Sequence, residues 1–124
     1  MKKLLLILLL ICFSAYANVE FLTDNNFNSK ISKGIVVVEY WAEWNKGNEF
    51  TELENLKDCN VYRACISKCK DAADDYKIKA VPTVIIYDNG EEIARFTPNI
   101  MLQLEANKSD IQSAIDEIVL NKFQ

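Results

Sequence analysis

The chain contains no histidine. That absence excludes Ser-His-Asp and Cys-His catalysis and every zinc site that needs an imidazole. Glycine (3) and proline (2) are scarce, and neither repeats nor low-complexity linkers occur, so a disordered composition is excluded. With 124 residues, 50% hydrophobic and 26% charged, the chain fits one compact domain. A long hydrophobic run is also lacking. Leu4 to Phe13 is apolar for about ten residues, against roughly 20 needed to span a bilayer.

That short run has another use. Lys2-Lys3 supply a positive n-region, Leu4 to Phe13 an h-region, and Ala15-Tyr16-Ala17 a small-x-small cleavage signal. The pattern predicts a cleaved signal peptide over residues 1–17 and one domain over 18–124. The protein is then exported: periplasmic or secreted in a bacterium, in the lumen of the secretory pathway in a eukaryote. Cys12 leaves with the leader, and Ile11 before it is not the small residue that lipoprotein processing requires. Without Lys2 and Lys3, 12 basic side chains face 18 acidic ones, a net charge of −6 against −4 for the whole chain. An acidic surface without clusters argues against nucleic acid or anionic lipid as partner. No membrane association is expected once the leader is gone.

Cys59, Cys65 and Cys69 remain, an odd number in an oxidising setting. A Cys59–Cys65 bridge is excluded if both lie on one strand, since six residues extend roughly 20 Å while a disulfide needs Cα atoms within about 7 Å. Spacings of six and four without a fourth ligand do not make a metal site. No cofactor is called for.

Val19 to Leu22 alternates as a short strand. Thr23 or Asp24 suits the N-cap of a helix carrying Phe27 and Ile31, and Gly34 suits its end. Ile35 to Ala42 is a β-branched apolar run of a strand buried on both faces. Phe50, Leu53 and Leu56 predict a helix over Asn48–Lys57. Val61 to Ser67 reads as a strand, Lys70 to Tyr76 as a short helix, and Val81 to Tyr87 as a strand. Asn89-Gly90 then predicts a type I′ hairpin leading into Ile93–Phe96. Pro98 breaks that strand, and Ile100 to Glu105 alternates as an extended piece would. Ile111, Ala114, Ile115, Ile118 and Val119 form the stripe of a last helix, with Ser109 and Gln112 as its capping box. This order predicts an α/β fold, a central mixed sheet with helices on both faces.

Two segments carry a resemblance. Trp41-Ala42-Glu43-Trp44-Asn45-Lys46-Gly47-Asn48 ends the apolar strand, and Val81-Pro82-Thr83 answers it about forty residues later. Together they are similar to the thioredoxin family, whose W-A-x-W-C-G-P-C ends a central strand and whose V/I-P-T carries a cis proline facing the redox pair. The resemblance covers roughly residues 19–96 and 108–123. It implies a thioredoxin fold with Asn45 and Asn48 at the two cysteine positions. An asparagine amide can neither attack nor leave in disulfide exchange, so ordinary thioredoxin chemistry at this turn is excluded.

What the resemblance leaves is a helix N-terminus topped by Asn45, Lys46, Gly47 and Asn48. It could receive an anion or a peptide carbonyl, or the asparagines could simply cap it. Val81, Pro82 and Thr83, with Trp44 beside them, form the groove where the family's main chain pairs with extended peptides; Pro82 could equally be a plain turn proline. Glu39 matches the family's buried acid and is expected to be retained for structure, with a raised pKa. Cys65 falls where a lysine often lies near that acid, and Cys69 on the active-site side. Two functions follow. One is a redox-inactive module that binds an extended peptide or partner protein. The other is a thiol-disulfide oxidoreductase or redox sensor, working in redox homeostasis through Cys69, with or without Cys65. Asn107-Lys108-Ser109 is also a glycosylation sequon in a eukaryote.

Overall fold

A computed structural model describes residues 19–124; the predicted leader with Cys12 lies outside them. The sheet has five strands: β1 (Glu20–Leu22), β2 (Ile35–Trp41), β3 (Asn60–Cys65), β4 (Thr83–Asp88) and β5 (Glu91–Phe96). Their order is β1-β3-β2-β4-β5. β3 pairs parallel with β1 and β2, while β4 is antiparallel to β2 and β5. Among the described residues there are three α-helices: α1 (Phe27–Ile31), α2 (Lys70–Asp75) and α3 (Lys108–Lys122).

β2 is central because its residues can be buried on both sides. Val36, Val38 and Tyr40 pack with Phe27, Ile31 and Ala72 of α1 and α2. Val37 points the other way, toward Leu53, Ile111 and Ile115. Alternation along one strand thereby divides the core into two layers. In the first layer the Tyr40 and Tyr87 hydroxyls lie 2.8 Å apart, both buried.

Gly34 has φ +71°, a conformation glycine adopts without a Cβ penalty. Its N–H donates to Asn89 Oδ1 at 2.8 Å, and its carbonyl accepts from Asn89 N–H at 3.0 Å. Asn89 and Gly90 have φ +52° and +85°, as the hairpin signal requires.

Five local expectations need correction. Neither Thr23 nor Asp24 caps α1: Asn26 precedes it, its Oδ1 accepting from Thr23 N–H at 2.8 Å. Asp24 turns instead to the start of α2, accepting from Asp71 and Ala72 N–H at 3.4 Å each.

The box at α3 is Asn107 with Asp110, two reciprocal bonds of 2.9 Å, because Gln112 is drawn away to both backbone groups of Lys57. β3 ends at Cys65 rather than Ser67, the chain turning through Cys69 N–H to Cys65 O at 2.9 Å.

The Ile100–Glu105 stretch is not extended. A turn closes through Leu102 N–H to Asn99 O at 3.0 Å, and only Pro98 and Leu104 make a bridge.

The largest departure is between β2 and β3, where no α-helix forms. Two single 3₁₀ turns, Glu43–Asn45 and Leu53–Asn55, stand in its place. The backbone of Phe50 is taken by side chains of the sheet: its N–H donates to Glu39 Oε2 at 2.7 Å, and its carbonyl accepts from Arg63 Nη2 at 2.6 Å. These two bonds satisfy the Phe50 backbone from the sheet and fix the segment to β2 and β3. Phe50, Leu53 and Leu56 still reach the core, so their spacing reported burial rather than a helix.

Candidate functional site

At the C-terminal end of β2 the chain leaves the sheet through Ala42 and the Glu43–Asn45 turn. Asn48 N–H donates to Asn45 O at 3.2 Å. Gly47 reaches φ +105°, and its N–H donates to Glu49 Oε2 at 2.6 Å. Backbone N–H groups of Glu49 and Gly47 hold that carboxyl below its usual range. Lys46 is exposed. With no helix after the turn, the expected helix-dipole site is absent, and so is the role of Asn45 or Asn48 as its cap.

Asn45 has a different job. It is buried, and its amide nitrogen donates to two carbonyls, Val81 O at 3.0 Å and Leu102 O at 3.1 Å. Its oxygen accepts from the Asn48 amide at 2.9 Å. All three polar capacities that matter are filled, as burial demands. Asn45 therefore ties together three stretches far apart in sequence: the turn after β2, the residue before Pro82, and the segment after β5.

The Val81–Pro82 peptide bond is cis. Val81 and Pro82 are buried, and Thr83 Oγ1 donates to Ala80 O at 2.6 Å. The Val81 carbonyl is engaged by Asn45. A hollow of about 120 Å³ lies beside it, bounded by Trp44, Ile66, Ile78, Val81 and Leu102, with Lys79 at the edge. Trp44 is 68% exposed.

Glu39 sits beneath, with no solvent exposure. Arg63 Nε donates to its Oε1 at 2.8 Å, and Phe50 N–H to its Oε2. Burial raises its pKa, opposed by Phe50 N–H and then Arg63. The partner of the acid is Arg63, opposite Glu39 in the register of β2 and β3; Cys65 was assigned that place wrongly and stands opposite Trp41. Arg63 went unread in the sequence, although a buried carboxylate demands a cation.

None of the three thiols lines the hollow. Cys69 has no exposure and packs among Leu22, Phe27 and Ala72. Its S–H donates to Leu22 O at 3.0 Å, and burial, then Asp24 and Cys65, push it up to about 11. It is not a groove thiol. Cys65 is buried, its sulfur 3.2 Å from Ser67 Oγ. Cys59, half-buried at the other end of β3, is also pushed up to about 11, by burial and then Asp58. All three are free. Among the described residues no group of His, Cys, Asp or Glu could hold a metal ion, and no helix is long and apolar enough to cross a membrane.

Comparison with known proteins agrees with this architecture. The family model Thioredoxin matches residues 18–117. The thioredoxin of Chlamydia pneumoniae is 30% identical over 83 residues, spanning 62% of this chain and 81% of that protein. The thioredoxin of Bacillus subtilis is 25% identical over 96 residues, spanning 69% and 92%. Among solved structures, the thioredoxin of Malassezia sympodialis superposes with a TM-score of 0.62 over 82% of this chain and 94% of its own, at 20% identity, a likeness of fold. The chain belongs to the thioredoxin family.

Proposed function

We propose that the protein is a thiol-independent member of its family, exported after loss of residues 1–17, that binds an extended polypeptide at the hollow beside Trp44 and Val81. One observation carries the reading. The place where disulfide exchange would need a nucleophile holds the buried amide of Asn45, with both amide donations spent on carbonyls. Beside it, an exposed indole borders an apolar hollow. Exposed Trp next to a concave apolar surface supplies contact area at little entropic cost, and main-chain recognition needs no sulfur. Chemistry through Cys69 is disfavoured by its burial in the core.

The test uses the mature chain and reduced, carboxymethylated α-lactalbumin, an unfolded polypeptide without reactive sulfur. Saturable binding that Trp44→Ala abolishes, together with no turnover in an insulin disulfide-reduction assay, is the expected result. Turnover that disappears when Cys65 and Cys69 become serine would overturn it. Mass analysis of the N-terminus from the native compartment tests export: a chain beginning at Met1 or Lys2 refutes the cleavage.

A further inference from the structure

We propose that the segment Asn99–Leu102 is a strap built into the chain that occupies the peptide groove, latched by Asn45, and that an incoming polypeptide must displace it. The inference rests on the groove reading above and adds its regulation.

The latch brings two main chains side by side. One amide nitrogen reaches both Val81 O and Leu102 O, at 3.0 and 3.1 Å. The strap's backbone thus lies alongside Val81, where a chain pairing with that residue would have to run. Leu102 borders the same hollow as Trp44, Ile66 and Ile78.

Leu102 holds φ +56°, a conformation that disfavours residues with a Cβ and costs glycine nothing. What leucine adds there over glycine is a side chain, on a residue that borders the hollow. Strain kept for such a purpose collects at switch and binding segments.

The strap is also preformed. Asn99 Oδ1 accepts from Met101 N–H at 2.9 Å and Gln103 N–H at 3.1 Å, and Asn99 N–H donates to Gln103 O at 2.9 Å. Leu104 and Ala106 pack against the core under α3, so displacement is confined to the loop ahead of them. Ile100 at its tip is 97% exposed and Met101 is 69% exposed, so the loop can lift without uncovering either.

A strap that is shut most of the time lowers the apparent affinity for the ligand by the open fraction. Leu102→Gly relieves the backbone and removes a side chain at the border of the hollow, and is expected to melt no lower than wild type. Its affinity for carboxymethylated α-lactalbumin should rise about five-fold, which corresponds to a strap shut about 80% of the time. Adding Trp44→Ala should cancel the gain. In wild type, amide exchange at residues 99–103 should accelerate when the probe saturates. Unchanged or weaker binding by Leu102→Gly, with wild-type binding still lost in Trp44→Ala, would overturn the strap and leave the groove reading standing. Slower exchange at 99–103 on binding would overturn it as well, making the loop a clamp on the ligand. Absence of binding by both proteins would overturn both readings together.

Discussion

Glu39 and Arg63 face each other across β2 and β3, Oε1 to Nε at 2.8 Å, with the carboxylate sealed from solvent. Removing one partner of such a pair leaves an uncompensated buried charge, at a cost of about 3–5 kcal/mol. Arg63→Met should lose stability in that range by denaturant titration, and Glu39→Leu added to it should restore most of the loss. A loss under about 1 kcal/mol for Arg63→Met would show that the pair does not hold the segment around Phe50.

The pH dependence has a defined sign. The pKa of Glu39 is raised in the folded chain, by burial first. The folded state then binds a proton that the unfolded state has already released. This contribution to stability is full below the ordinary glutamate value and is lost as pH rises through the elevated folded value. Unfolding free energies measured across pH 4 to 8 should carry a downward component that Glu39→Gln removes. Indistinguishable profiles for the two proteins would contradict it.

Restoring sulfur at the turn should not restore thioredoxin-like acidity. A thiol at position 45 would stand on a 3₁₀ turn with no helix dipole behind it, and dipoles and cations are what lower a thiol's pKa. Asn45→Cys should titrate, by thiolate absorbance, at or above the ordinary value of about 8.5. A value below about 7 would refute this. Ellman's reagent on the native wild type should leave Cys69 untouched until the protein unfolds. Cys59, pushed up to about 11 by burial and then Asp58, should react more slowly than a model thiol.

The buried hydroxyl pair of Tyr40 and Tyr87, 2.8 Å apart, sets up a double-mutant cycle. Either single change to Phe strands one hydroxyl and should cost about 1–3 kcal/mol. Replacing both should cost clearly less than the sum. Additive losses would mean that the pair is not coupled.

At the start of α3, Asn107→Ala should destabilise by about 1 kcal/mol, while Ser109→Ala should be silent within a few tenths. Equal losses would return the cap to Ser109.

The sheet was legible because its signals are local and periodic. Ile35–Trp41 is too apolar to face water on either side, and Asn89-Gly90 supplies the positive φ angles that a tight hairpin needs. The stripe of α3 was equally plain. Two of the misreadings share a cause: side chains reaching across the sequence for backbone groups. Glu39 and Arg63 hold the Phe50 backbone to the sheet where its apolar spacing promised a helix. Gln112 is taken by Lys57 and leaves the capping box to Asp110. At the groove, Trp44, Asn45 and Val81 were identifiable as neighbours through resemblance. The clasp on Leu102 was not: Pro98 and Asn99 are turn residues, but nothing in residues 98–107 says that the Leu102 carbonyl meets an amide 57 positions away.

The grip on Phe50 reaches beyond the site. An amide in an irregular stretch ordinarily trades its hydrogen with water within seconds, yet this one points into an enclosed carboxylate at 2.7 Å. Its deuterium uptake should keep pace with the middle of β2 rather than with Thr51 and Glu52 next to it, marking a loop residue that belongs, in its timing, to the sheet.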